Sequence, residues 1–218
     1  MAEALIQISA PIEKIAPDAI RLERLLDAPA ETVWRYLTEA DLRQSWFMGG
    51  TDATPGGEFA LLNDHDNLSD ESDVPYPDSY APYKGRTWNE RVLRFEPPHL
   101  LETTFQGGQN GTVSYELRPE GEKTRLILTH RGIQSGTGFQ DFGGGWNSHM
   151  IVLQERLAGR RVPNFWDMHP GRGKRWRRRW VSSERGFPSR PASSSAAGAG
   201  PQHIQGRHGE ALRLRGTR

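Results

Sequence analysis

Apolar positions along this chain follow two periods, and the switch between them orders the elements. A β-prone run from Ile20 to Leu26 ends at Ala28-Pro29. A helix is then expected from Ala30 to Glu39, with Val33, Trp34 and Leu37 on one face. Pro29 suits a strand exit or a first helical turn, where its missing N–H costs nothing, and Glu31 favours the positive end of the helix dipole. A second short helical turn, Asp41 to Ser45, delivers Trp46. After the turn signal Thr54-Pro55-Gly56-Gly57, strands are expected at Glu58 to Leu62, Gly85 to Phe95 and Leu100 to Phe105.

Gln106 to Gly111 contains Gly-Gly and Asn-Gly and reads as a hairpin turn. Thr112 to Leu117 and Thr124 to Arg131 then alternate with period 2, placing Val113, Tyr115 and Leu117, and Leu126, Leu128 and His130, on single faces. Period 3.6 returns with Phe139, Phe142, Trp146, Met150, Leu153 and Leu157, an apolar stripe of nearly five turns. Gly143-Gly144-Gly145 interrupts its first turns, so the helix proper is expected nearer Gly145. An antiparallel meander laid against one long amphipathic helix is an α+β architecture.

Five of these segments resemble, in order, the Hsp90-ATPase-activator-homologue family, a branch of the START-like (Bet v 1-like) helix-grip superfamily. They are the Leu26 to Trp46 opening, Pro55-Gly56-Gly57-Glu58-Phe59, Gly85 to Phe95 with Glu96-Pro97-Pro98-His99-Leu100, Thr124 to His130, and Gly145-Trp146 with its helix. The resemblance covers about residues 19–160. It implies an antiparallel sheet wrapped around a long C-terminal helix, with an internal cavity for a small hydrophobic or amphipathic molecule. It also implies two other functions, a protein-interaction module in the manner of an Hsp90 co-chaperone and a cyclase- or hydrolase-type enzyme. Fold cannot choose among them.

Composition divides the chain. Of its 28 Lys and Arg, 12 lie after Pro170, with only 2 of the 27 Asp and Glu. Residues 1–170 therefore carry net −9 and 171–218 net +10. The expected organisation is a weakly patterned leader at 1–18, the START-like domain at 19–160, a connector at 161–170, and a basic, low-complexity, disorder-like tail at 171–218. So abrupt a change is what either a genuine tail or a frameshift in a GC-rich gene would give. The run Arg172 to Trp180 interleaves cations with Trp176 and Trp180, the composition of a nucleic-acid or anionic-membrane patch. Outside that tail nothing points to nucleic acid.

Hydrophobic content of 35% and a mean hydropathy of −0.72 fit a folded domain plus a polar extension. With no cysteine, disulfides and thiolate metal sites are excluded. No secretory signal pattern opens the chain and no apolar run reaches membrane-spanning length, so a cytoplasmic location is expected.

The candidate ligand-binding residues are Trp46, Phe59, Trp88, Phe105, Tyr115, His130, Trp146 and His149. The aromatics would line a cavity between sheet and C-terminal helix, whereas Trp34 reads as structural. His130 is the sharpest polar candidate, since an inward imidazole could orient a ligand or move a proton. No nucleophile elbow, phosphate loop or dinucleotide fingerprint occurs, and the acids of Asp64 to Asp78 lack a calcium-loop register. Neither metal nor cofactor is expected, and catalysis is not. Cavity size discriminates: a ligand binder needs several hundred cubic ångströms, an interaction module a filled core and an exposed patch.

Overall fold

The computed structural model describes residues 12–134 and 138–169; of 138–140 it describes the backbone alone. Its elements run β1 (Glu13–Ala16), β2 (Ala19–Leu26), α1 (Ala30–Thr38), α2 (Ala40–Arg43), β3 (Gly49–Gly50), β4 (Glu58–Leu62), β5 (Thr87–Glu96), β6 (Leu100–Thr104), β7 (Thr112–Glu120), β8 (Lys123–Arg131), α3 (Gly138–Leu157) and α4 (Phe165–Met168). All eight strands form one antiparallel sheet in the order β1-β2-β8-β7-β6-β5-β4-β3. Among the described residues the one crossover is β2 pairing β8, which sets the last strand beside the second. This is the α+β helix-grip fold.

Period 2 does its work on the inner face. Ile20 pairs His130, and His130 pairs Val113; Leu22 pairs Leu128, which pairs Tyr115 and then Leu101. These rows point one way because the register keeps inner residues opposite one another. All of them are at most 7% exposed. Helix α1 starts where Pro29 suggested, with the Val33 N–H donating to the Pro29 carbonyl at 3.1 Å and no side-chain cap. Its apolar face, Val33, Trp34 and Leu37, is buried, and Trp34 meets Phe95 edge-on at 5.0 Å.

Four expectations need correction. The three glycines do not delay α3, which runs unbroken for 20 residues from Gly138. Glycine costs a helix about 1 kcal/mol each, and the burial of Trp146, Met150, Ile151, Val152 and Leu153 outweighs that. Residues 13–16, read as leader, form edge strand β1 on β2. Residues 161–169, read as a connector, are core: Val162, Phe165 and Trp166 are at most 3% exposed. The acidic 64–82 segment does sit inside the β4–β5 hairpin, but it is anchored, with Leu68 at 0% exposure and His65 buried. Loop and C-terminal segment hold each other through Asp70 N–H to the Val162 carbonyl (2.8 Å) and Glu71 N–H to the Pro163 carbonyl (3.2 Å). Together they cover the side of α3 away from the sheet. The tail 171–218, with its frameshift reading, and the side chain of Phe139 lie outside the described residues.

Candidate functional site

An internal cavity of about 20 Å³ lies against the inner face of the sheet. Four of the eight candidate residues line it: Trp46, Phe59, Phe105 and Tyr115. The rest of the wall comes from Leu37 of α1, Arg43 of α2, Phe47, Leu61 and the β6 residues Leu101 and Thr103. No α3 residue lines it, so the cavity sits between the sheet and the α1–α2 segment rather than against the C-terminal helix. Its volume is room for one water molecule. The expected several hundred cubic ångströms are absent because these large rings close on one another: Phe47 stacks on Trp46 (5.5 Å) and on Trp146 (5.1 Å), which meets Phe105 at 5.3 Å.

Arg43 was not legible in the sequence, where it is one cation in a four-residue turn. It is 3% exposed, and all five guanidinium N–H groups face backbone carbonyls. Nε donates to Met48 (3.1 Å), Nη1 to Leu37 (3.5 Å) and Thr38 (3.2 Å), Nη2 to Gly49 (3.4 Å) and Thr51 (2.6 Å). The group thus locks α1, α2 and β3 together, with its flat face 5.2 Å from the Phe59 ring centroid. No carboxylate forms an ion pair with it among the described residues, and burial pulls its pKa down to about 10 against the weaker opposing pulls of Tyr115 and Asp52. Tyr115 is held above the usual phenol range by burial, with the Arg43 cation pulling the other way and Glu90 adding to the rise. The Tyr115 and Thr103 hydroxyls, both on cavity walls, have no hydrogen-bond partner among the described residues. The cavity therefore combines aromatic walls, a buried positive charge and two free hydroxyls.

The other candidates fall elsewhere. Trp146 borders the cavity wall through Phe47, Phe105 and Tyr115, but its indole N–H is spent on His130 Nδ1 at 3.1 Å. His130, at 0% exposure, also donates Nε2–H to the Asn110 carbonyl at 2.7 Å. A carbonyl can only accept and an indole N–H only donate, so the tautomer is fixed and the ring is neutral. Burial holds its pKa down to about 4 against the weaker opposing pull of Asn110. Both ring nitrogens are committed, leaving no proton or lone pair for a ligand. His149 lies beyond Phe47, donating Nδ1–H to the Trp46 carbonyl at 2.9 Å. Trp88 is half-buried on β5 opposite Leu61 and lines no part of the cavity.

Glu90 is a fully buried acid, at 0% exposure. It accepts from Thr104 Oγ1 (2.7 Å) and the Gly107 N–H (3.0 Å), which fixes the β6–β7 turn. Among the described residues no group of three or more His, Asp or Glu is arranged to hold a metal ion, and no helix is long and apolar enough to cross a membrane.

Residues 27–158 match the family described as activator of Hsp90 ATPase homolog 1-like protein. The chain belongs to that family. Among solved structures, it is similar to the solution structure of the protein encoded by gene BPP1335 of Bordetella parapertussis. The two are 37% identical over 71% of this chain and 82% of the other, with a TM-score of 0.59. It is also similar to CalU16 of Micromonospora echinospora, 23% identical over 80% of this chain and 97% of that one, TM-score 0.53. A conserved protein of unknown function from Enterococcus faecalis, EF2215, is 16% identical over 74% of this chain and 86% of its own, TM-score 0.52. These last two share the fold alone. No curated protein matches. The family's fold is compatible with either a small ligand or a protein partner.

Proposed function

We propose that this member of the activator of Hsp90 ATPase homolog 1-like family binds a small amphipathic ligand at the aromatic cavity. The observation that carries this is the meeting of the Thr103 and Tyr115 hydroxyls with the buried Arg43 cation on the walls of one otherwise aromatic and apolar cavity. Hydroxyls that face the cavity can hydrogen-bond a ligand's polar end. Arg43 has no N–H left to offer, so direct hydrogen bonds come from the two hydroxyls. Its charge biases the site toward anionic over cationic ligands.

At about 20 Å³ the cavity must widen to admit anything larger than water. The wall to yield is Phe47 with Trp46, since these follow a four-residue helix, whereas Tyr115 belongs to β7 and Phe105 directly follows β6. Native mass spectrometry of freshly purified protein, with titrations of octanoate and octylamine followed by tryptophan fluorescence, tests the proposal. A retained small molecule, or saturable binding that favours octanoate, supports it. Consistently empty protein that binds neither amphiphile overturns it.

A second function, a protein-interaction module, has its own observations, the filled interior that such a module requires and a groove on the outer face. A groove of about 750 Å³ crosses the outer face of β5 to β8, edged by Arg94, Glu96, Glu102, Arg118 and Arg131. A polar, charge-striped sheet face of this size suits a protein partner better than an apolar ligand.

A further inference from the structure

Three imidazoles from three separate segments meet behind Phe47. His65 comes from the β4–β5 loop, His149 from α3 and His169 from the end of α4, each at most 7% exposed. The His65 and His149 ring centroids are 5.2 Å apart, and both rings pack on Phe165, at 5.4 and 5.0 Å. His169 packs on Tyr80 (4.6 Å), Phe165 (5.3 Å) and Trp166 (5.4 Å). His65 Nδ1 and the Tyr76 hydroxyl share a hydrogen bond of 2.9 Å, while His169 Nδ1 is buried with no partner. These contacts help fasten the 64–84 loop and α4 onto α3, beside the Arg156–Asp70 ion pair and the Ser148 hydroxyl that donates to the Met168 carbonyl.

The box has little with which to stabilise an imidazolium. From the loop, Asp66 is the acid that acts on His65, but its carboxylate is engaged by Lys84, which also lies over the Tyr76 ring. Asp64 acts on Tyr76, and Asp141 of α3 acts on Tyr80. Asp70 is held by Arg156 of α3 at 2.8 Å. The segment after α2 contributes only the Trp46 carbonyl, already accepting from His149. Asp167 of α4 is exposed. Among the described residues no carboxylate contacts any of the three rings, so a proton on one is desolvated and repelled by any proton on the others. Burial accordingly holds His65 down to about 3, His169 to about 4 and His149 well below the usual imidazole range.

We propose that this box is an acid-released latch, in which protonation of the three imidazoles frees the 64–84 loop and α4 from α3 while the sheet stays folded. The sign follows from where the protons go. The closed form resists protonation and the open form takes protons at the ordinary imidazole value. The latch is therefore secure above about pH 6.5 and weakens as pH falls below it. Each imidazole that opening exposes favours the open form roughly 20-fold more at pH 5 than at pH 7. Opening would also uncover Phe47, linking the latch to the wall of the internal cavity.

Hydrogen exchange of the ligand-free full chain at pH 7 and pH 5, corrected for intrinsic exchange rates, tests this independently of any ligand. The Asp70, Glu71 and Phe165 amides, which bridge loop and C-terminal segment, report the latch. The β7–β8 amides report the sheet. The expected result is a loss of latch protection of at least roughly 20-fold beyond any loss in the sheet. H169F should recover roughly one 20-fold step of that loss at pH 5. Parallel loss in latch and sheet, unchanged latch protection, or an H169F response equal to that of the unaltered chain overturns the proposal.

Discussion

Replacing Arg43 by methionine removes the guanidinium but keeps most of its stem, so the loss reads the clamp rather than the packing. Five backbone carbonyls lose a donor. Thr38 keeps another, since its carbonyl also accepts the Ala53 N–H at 2.9 Å. A hydrogen bond from a charged group contributes about 1.5–3 kcal/mol. Counting only the contacts to Met48 and Thr51, which are of good length, gives a gross loss of about 3–6 kcal/mol. Relief of the buried, unpaired charge offsets part of it. The expected net loss is about 2–4 kcal/mol, a large share of a typical domain's 5–15 kcal/mol. In urea, with a slope of about 2 kcal/mol per molar, the midpoint should fall by about 1–2 M. R43K keeps the charge but not the planar fork, and should recover less than half of the loss. Unfolding followed by tryptophan fluorescence gives both numbers. An R43M midpoint within about 0.2 M of the unaltered chain would refute the clamp.

Other outcomes follow from single contacts. A Cβ at Gly111 would stand 1.8 Å from the Arg131 carbonyl oxygen, and its φ is +78°, so G111A should lower stability by more than about 3 kcal/mol in thermal unfolding. W166A should cost about 3–5 kcal/mol, because the ring is 3% exposed; a cost under 1 kcal/mol would mean residues 161–169 are not core. His130 is held at about 4 when folded and returns to 6.5 when unfolded. Its contribution is full above pH 6.5 and disappears as pH falls toward 4, about 3 kcal/mol in all. H130Q should flatten that part of the urea-midpoint profile. Y115F should weaken octanoate binding by about tenfold while changing stability by less than about 1 kcal/mol.

The central strands were legible because one of their faces is buried, so period 2 survives in Val113-Tyr115-Leu117 and Leu126-Leu128-His130 without help from context. Trp34 and the α1 face were legible for the same reason at period 3.6. Arg43 was not, since nothing in its neighbours says that a cation in a short helix will turn inward to collect backbone carbonyls. The connector segment hid in the same way: Phe165 and Trp166 sit in a four-residue helix too short for any period. Four of the candidate aromatics do converge, yet their convergence fills the interior instead of hollowing it. Sequence spacing reports which face a ring occupies, whereas cavity volume depends on how rings from Trp46, Phe47, Phe105 and Trp146 stack in three dimensions. His130 was rightly placed inward, but the groups that use up its nitrogens, Asn110 and Trp146, lie 20 and 16 residues away.

The central claim is that ligand enters between the sheet and the α1–α2 segment. A nitrogen–proton NMR titration with octanoate, followed at the tryptophan indole N–H signals, tests it most directly. Trp46 and Trp146 should shift together and saturate, while Trp34 and Trp88, which lie off the cavity, hold their positions. Shifts confined to Trp34 or Trp88, or no saturable shift at Trp46, would contradict the account.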